Sequence, residues 1–199
     1  MRIEAANAAQ GFLRYLAAVL FFLLLAGCAA PPPAAHDVGK IDRILTLIGQ
    51  RLRYMDDVAR NKWNSGAAIE DLPREREIID SLGKQAAGYG LDAGIAREFF
   101  RAQIEASKII QRTRFAEWRA QNQPPFKDLP DLRDSIRPAL DALTPELMKA
   151  LAGALPVLRS TSGAALVDAR AAIVVAVRAS DIAARDEAIA PLVRIANPR

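Results

Sequence analysis

An all-α fold is predicted, a helical bundle of three core helices with a C-terminal helical extension. Three features of the sequence predict it. Hydrophobic residues make up 51% of the chain and are drawn largely from Ala, Leu and Ile, while aromatics make up only 6%. That mixture favours helix packing over sheet. Ile41, Ile44, Leu45, Ile48, Leu52 and Met55 recur at helical spacing. No run of alternating β-branched residues is long enough to read as a strand. With 199 residues the chain can bury one core of its own.

The N-terminus reads as an export segment. Arg2 and Arg14 make a basic start, and Tyr15 to Ala26 is an apolar run too short for an ordinary spanning helix. Leu25-Ala26-Gly27-Cys28 then reads as a lipobox, with small residues before a thiol that accepts a diacylglyceryl group. The alternative is a plain signal peptide cleaved near Ala30, with Cys28 discarded. Residues 1–27 are therefore assigned to a leader and residues 28–38 to a tether containing Pro31, Pro32 and Pro33. Ala29 after the cysteine matches lipoproteins sent to the outer membrane, so the expected location is periplasmic or membrane-anchored. Cys28 is the sole cysteine, which excludes an intrachain disulfide. His36, the sole histidine, falls in the tether with no companion ligand, so no metal site is expected.

Residues 39–199 form one predicted domain, with 39–120 the candidate catalytic helices and 131–199 the C-terminal helices. The first helix runs from about Gly39 to Asn64 and stops at Ser65-Gly66. Asp71 caps the second, with Pro73 tolerated in its first turn. Ile78, Ile79 and Leu82 mark its inner face, and Gly88-Tyr89-Gly90 ends it. Asp92 opens the third, which extends to about Ala120. Pro124-Pro125 falls in a loop. Thr144-Pro145-Glu146 reads as the start of a further helix ending near Leu155-Pro156. Ala164 to about Arg194 is one long helix or two abutting ones, jointed at Ser180-Asp181.

Polar residues interrupt these apolar faces. Arg51 lies seven residues after Ile44, and Lys62 seven after Met55, about two turns in each case. Arg74 precedes Ile78 by four residues. All three cations are therefore expected to point inward. Gln103, Ser107 and Gln111 form a stripe at i, i+4 and i+8 beside Phe99 and Phe100. A buried cation without a partner costs several kcal/mol, so an anion is expected among them, either neighbouring Asp and Glu or a bound ligand. Nucleophile–histidine catalysis lacks a core histidine, and no Gly-rich phosphate loop is present. The net charge of +4 is spread without a basic block, and no nucleic-acid partner is expected. What remains is a small polyanion pocket acting by position and charge.

The stretch Arg51…Lys62-Trp63…Ile69-Glu70-Asp71…Arg74-Glu75, followed by Gln103-Ile104-Glu105-Ala106-Ser107…Gln111, resembles the all-helical chorismate mutases. The export signal and the added C-terminal helices make it similar to their secreted gamma subclass. The resemblance covers roughly residues 40–120, with a looser match through Asp131-Leu132 and Arg137-Pro138-Ala139-Leu140-Asp141. It implies conversion of chorismate to prephenate without cofactor or covalent intermediate. It also implies roles. Arg51 and Arg74 orient the carboxylate-bearing end of the substrate, and Ser107 assists a carboxylate. Lys62 and Gln111 donate to the ether oxygen. Glu75, with the Asp71 region, receives the ring hydroxyl. A further arginine is implied after the third helix; Arg137 matches it through a gap, and Arg133 is the alternative. A homodimer with each pocket inside one chain is implied as well. Two other readings stand beside this one: an isochorismate pyruvate-lyase of the same fold, and a non-catalytic helical envelope lipoprotein.

Overall fold

The computed structural model describes residues 34–197. The leader, Cys28 and the triple-proline stretch lie outside the described residues. The helices are α1 (Ala35–Arg53), α2 (Met55–Ser65), α3 (Leu72–Gln85), α4 (Ala93–Ala120), α5 (Arg137–Leu158), α6 (Gly163–Val174) and α7 (Ile182–Ala196). Among the described residues there is no strand.

The first predicted helix is two helices joined end to end. Tyr54 keeps helical dihedral angles (φ −69°, ψ −15°), but its N–H reaches back to the Arg51 carbonyl at 3.3 Å. One tightened turn separates α1 from α2 without changing their common inner face. Ile41, Ile44, Leu45, Ile48, Leu52 and Met55 are all buried, as their spacing requires. α1 begins at Ala35, so His36 belongs to its first turn and not to a tether. Asp37 in that turn suits the positive end of the helix. Gly66 closes α2 with φ +67°, a conformation that disfavours any side chain.

The caps of the next two helices fall where the sequence places them. Asp71 Oδ1 accepts the Arg74 N–H at 3.2 Å, and Asp92 Oδ1 accepts those of Gly94 and Ile95 at 2.8 and 3.0 Å. α3 gives way at Ala86–Tyr89 to a tighter turn, which ends at Gly90.

The helix expected to start at Thr144 starts at Arg137, directly after a π-helical turn over Leu132–Ile136. Pro145 is thus inside α5 and not at its first turn. It cannot donate to the Asp141 carbonyl four residues back. Thr144 Oγ1 instead donates to the neighbouring Leu140 carbonyl at 3.2 Å. Pro156 is likewise inside, and α5 runs on to Leu158. Beyond the turn at Ser160–Ser162, the C-terminal stretch is two helices, with the joint at Ala179–Asp181.

α4 is the central helix. It packs along α7 and against α3 and α2, while α1 lies against α5 and α6. Gln103, fully buried, donates to the Ala188 carbonyl of α7 at 2.8 Å. About three turns further along α4, Arg114 is buried and paired with both Asp56 of α2 and Asp181. Arg178 pairs with the same two carboxylates from the exposed side. A separate aromatic cluster of Trp63, Phe115, Trp118 and Phe126 ties the end of α2 to α4 and the following loop.

Candidate active site

A cleft of about 1430 Å³ opens between α1–α2, the start of α3 and the start of α5. Arg51, Lys62, Asp71, Arg74 and Arg137 all line it. Arg51 comes from the last turn of α1 and is half-buried. Its Nε is fully enclosed and meets no hydrogen-bond acceptor. Burial pulls its guanidinium down to about 10, against the opposing pull of Asp141. Lys62, near the end of α2, donates from Nζ to the Ile69 carbonyl at 2.8 Å. Burial lowers its pKa; Asp71 and Glu75 oppose that shift and Arg137 adds to it. Among the described residues, neither Arg51, Lys62 nor Arg137 forms a salt bridge. Arg137 faces this cleft, whereas Arg133 is absent from its lining.

Asp71 and Glu75 bind each other across the start of α3. While Asp71 caps the helix, Glu75 Oε1 accepts the Asp71 N–H at 3.1 Å. Glu75 Oε2 accepts from Lys108 Nζ at 2.9 Å. Burial would push the Glu75 carboxyl up, but the bonds from Lys108 and the Asp71 amide hold it below the usual range.

Arg74 does not point inward as its spacing predicts. Its side chain is 67% exposed and pairs with Glu77 at 3.4 Å on the rim of the cleft. It sits in the first turn of α3, where the apolar face has not yet turned against α4. The polar stripe of α4 is buried but largely spent on backbone. Gln103 serves α7, as described. Ser107 Oγ donates to the Gln103 carbonyl at 2.7 Å. Gln111 Nε2 donates to the Ser107 carbonyl at 3.0 Å, and its Oε1 is buried without a partner. Of the residues expected at the site, Glu75, Ser107 and Gln111 do not line the cleft. Sequence reasoning missed Lys108 as a functional neighbour. Its position four residues after Ile104 and three before Gln111 was a signal of burial, but not of its partner.

The family model described as chorismate mutase type II matches residues 38–112. The secreted chorismate mutase of Mycolicibacterium smegmatis is 33% identical over 126 residues, which are 63% of this chain and 69% of that protein. The chain belongs to the chorismate mutase family. The secreted chorismate mutase of Yersinia pestis is 34% identical over 106 residues, 53% of this chain and 56% of that protein. Among solved structures, the chorismate mutase from Burkholderia phymatum superposes with a TM-score of 0.74 at 30% identity, covering 78% of this chain and 97% of that one. The chorismate mutase from Burkholderia thailandensis gives 0.71 at 33% identity, covering 77% and 98%. The all-helical fold expected from the resemblance is thus the fold of the family. An isomerase is the reading these relatives favour, over the lyase or the non-catalytic lipoprotein.

Proposed function

We propose that the protein rearranges chorismate to prephenate in the cleft between α1–α2, α3 and α5. The observation that carries this reading is a set of three cations in one cleft, Arg51, Lys62 and Arg137, with no ion pair among the described residues. Chorismate offers two carboxylates, a hydroxyl and an enolpyruvyl ether. In its Claisen rearrangement the C–O bond breaks as a new C–C bond forms, and negative charge grows on the ether oxygen. Donors fixed around that atom stabilise the transition state more than the ground state. Cations on the carboxylates hold the side chain folded over the ring. A rate gain of ~10⁶ requires about 8 kcal/mol, within reach of the two effects together.

In this reading Arg51 and Arg137 take carboxylates, and Arg74 joins them by swinging away from Glu77. Lys62 has three N–H groups, so it can keep the Ile69 carbonyl and still donate to the ether oxygen. Gln111 assists there with the second N–H of its Nε2, the first being held by the Ser107 carbonyl, and Ser107 assists a carboxylate. Glu75 and the Asp71 region receive the ring hydroxyl; a carboxylate oxygen bonded once retains a second lone pair for it. The protein works outside the cytoplasm, a reading supported by the relatives named as secreted. Cys28 carries the lipid anchor, and the active form is a homodimer.

The test is direct. Purified mature protein is given chorismate or isochorismate, and loss of chorismate absorbance and release of pyruvate are followed separately. Loss of chorismate with prephenate as product is expected. Pyruvate from isochorismate, or no reaction with either, would discard the assignment.

A further inference from the structure

Lys108 belongs to none of the motif positions above, yet it is 5% exposed on the central helix. Lysines are almost never fully buried unless paired. Its Nζ lies 2.9 Å from Glu75 Oε2 and 2.7 Å from Glu105 Oε1. Burial would lower its pKa, but the bonds it donates to Glu105 and Glu75 hold it above the lysine range, so it stays charged. Glu75 and Lys62, which lines the cleft, also act on each other electrostatically. The carboxylate therefore feels two ammonium groups but bonds to only one, Lys108, which does not line the cleft.

We infer that Lys108 is a positioning residue that holds the Glu75 carboxylate off Lys62, leaving the Lys62 ammonium available to the reacting ether oxygen. The inference rests on the chorismate mutase reading of the cleft. Its physical basis is competition for one anion. In a sheltered site a carboxylate without Lys108 turns to the nearest cation. A Lys62–Glu75 pair would then have to be broken before Lys62 could serve the substrate. Glu75 would also lose the orientation in which Oε1 holds the Asp71 N–H. A misplacement of about 1 Å in such a group can cost ~10²-fold in rate.

The experiment is a double-mutant cycle on the mature protein, with kcat and KM for chorismate measured separately. Lys108→Met is expected to lower kcat by about 10- to 100-fold, with less change in KM. Lys108→Arg, which keeps the cation, is expected to retain most of the turnover. Glu75→Gln has its own expected loss, since the proposed function assigns Glu75 to the ring hydroxyl. In that background Lys108→Met is expected to add little, because a neutral amide does not compete for Lys62. Should Lys108→Met not fold, Lys108→Gln replaces it in the same cycle. An equal fold-loss from the Lys108 change in both backgrounds would overturn the inference and leave Lys108 a packing residue. Wild-type protein inert toward chorismate would instead sink the underlying reading, so the two failures are distinguishable.

Discussion

At Arg51 burial and charge pull in opposite directions. The guanidinium is enclosed, yet its Nε has no acceptor, and Asp141 is the anion that offsets its burial. Arg51→Ala is expected to reduce kcat/KM by ~10²-fold, the scale of loss when a substrate carboxylate is no longer held in place. Arg76→Ala, on the exposed side of α3, is expected to stay within a few-fold; equal activities in the two variants would mean that Arg51 is a packing residue. Lys62 sets the alkaline behaviour. Burial lowers its pKa below the ordinary lysine value, so it loses its proton earlier than an exposed lysine as pH rises. Turnover should fall on the alkaline side accordingly, and Lys62→Arg should move that limb upward. The same limb in both proteins would assign the titration elsewhere. The fold responds with the opposite sign. The native state gives up this proton before the unfolded chain does, so the group adds stability as pH rises through the native value. Much of the site was legible, because Arg51 and Lys62 break an apolar repeat at positions the helix turns inward. Arg74 was misread because helical spacing does not say where packing begins along a helix. Lys108 was missed because its partner Glu75 is 33 residues away and no local pattern links them.

Among the elements, α5 departs most from its sequence. Thr144-Pro145-Glu146 has the local chemistry of a helix start, and nothing nearby shows that a helix is already under way. Two interior prolines persist because tertiary packing outweighs propensity: Leu147, Met148, Leu151, Leu155 and Leu158 are all buried. Pro145 and its neighbours Leu140, Asp141 and Thr144 line the cleft. A proline inside a helix is about 3 kcal/mol less favourable than alanine. Pro145→Ala is therefore expected to raise Tm while lowering kcat/KM, since the restored bond to the Asp141 carbonyl redraws that wall. A lower Tm would mean that the proline's shape is needed for packing. The break at Tyr54 was invisible for another reason. It changes one hydrogen bond and leaves the apolar period intact, so no sequence pattern marks it.

Across the whole molecule, the C-terminal helices complete the core. Arg114 is held by Asp56 and Asp181, from opposite ends of the described chain. Removing one partner of a buried pair typically costs 3–5 kcal/mol. Asp181→Asn should therefore lower the urea midpoint strongly; a loss below about 1 kcal/mol, the range of exposed pairs, would mean that Asp56 alone satisfies Arg114. The fold class was legible at this scale from composition and period, but which helix covers which was not, because the α4–α7 packing rests on contacts such as Gln103 to Ala188, 85 residues apart. That separation has a kinetic side. Contacts so far apart in sequence slow folding, because the cost of loop closure must be met before they stabilise anything. A chain threaded through a membrane from its N-terminus emerges with α4 complete and α7 still to come. Until the last helix docks, Gln103 lacks its acceptor and Arg114 lacks Asp181. On the export route proposed above, both of these buried partners are delivered last.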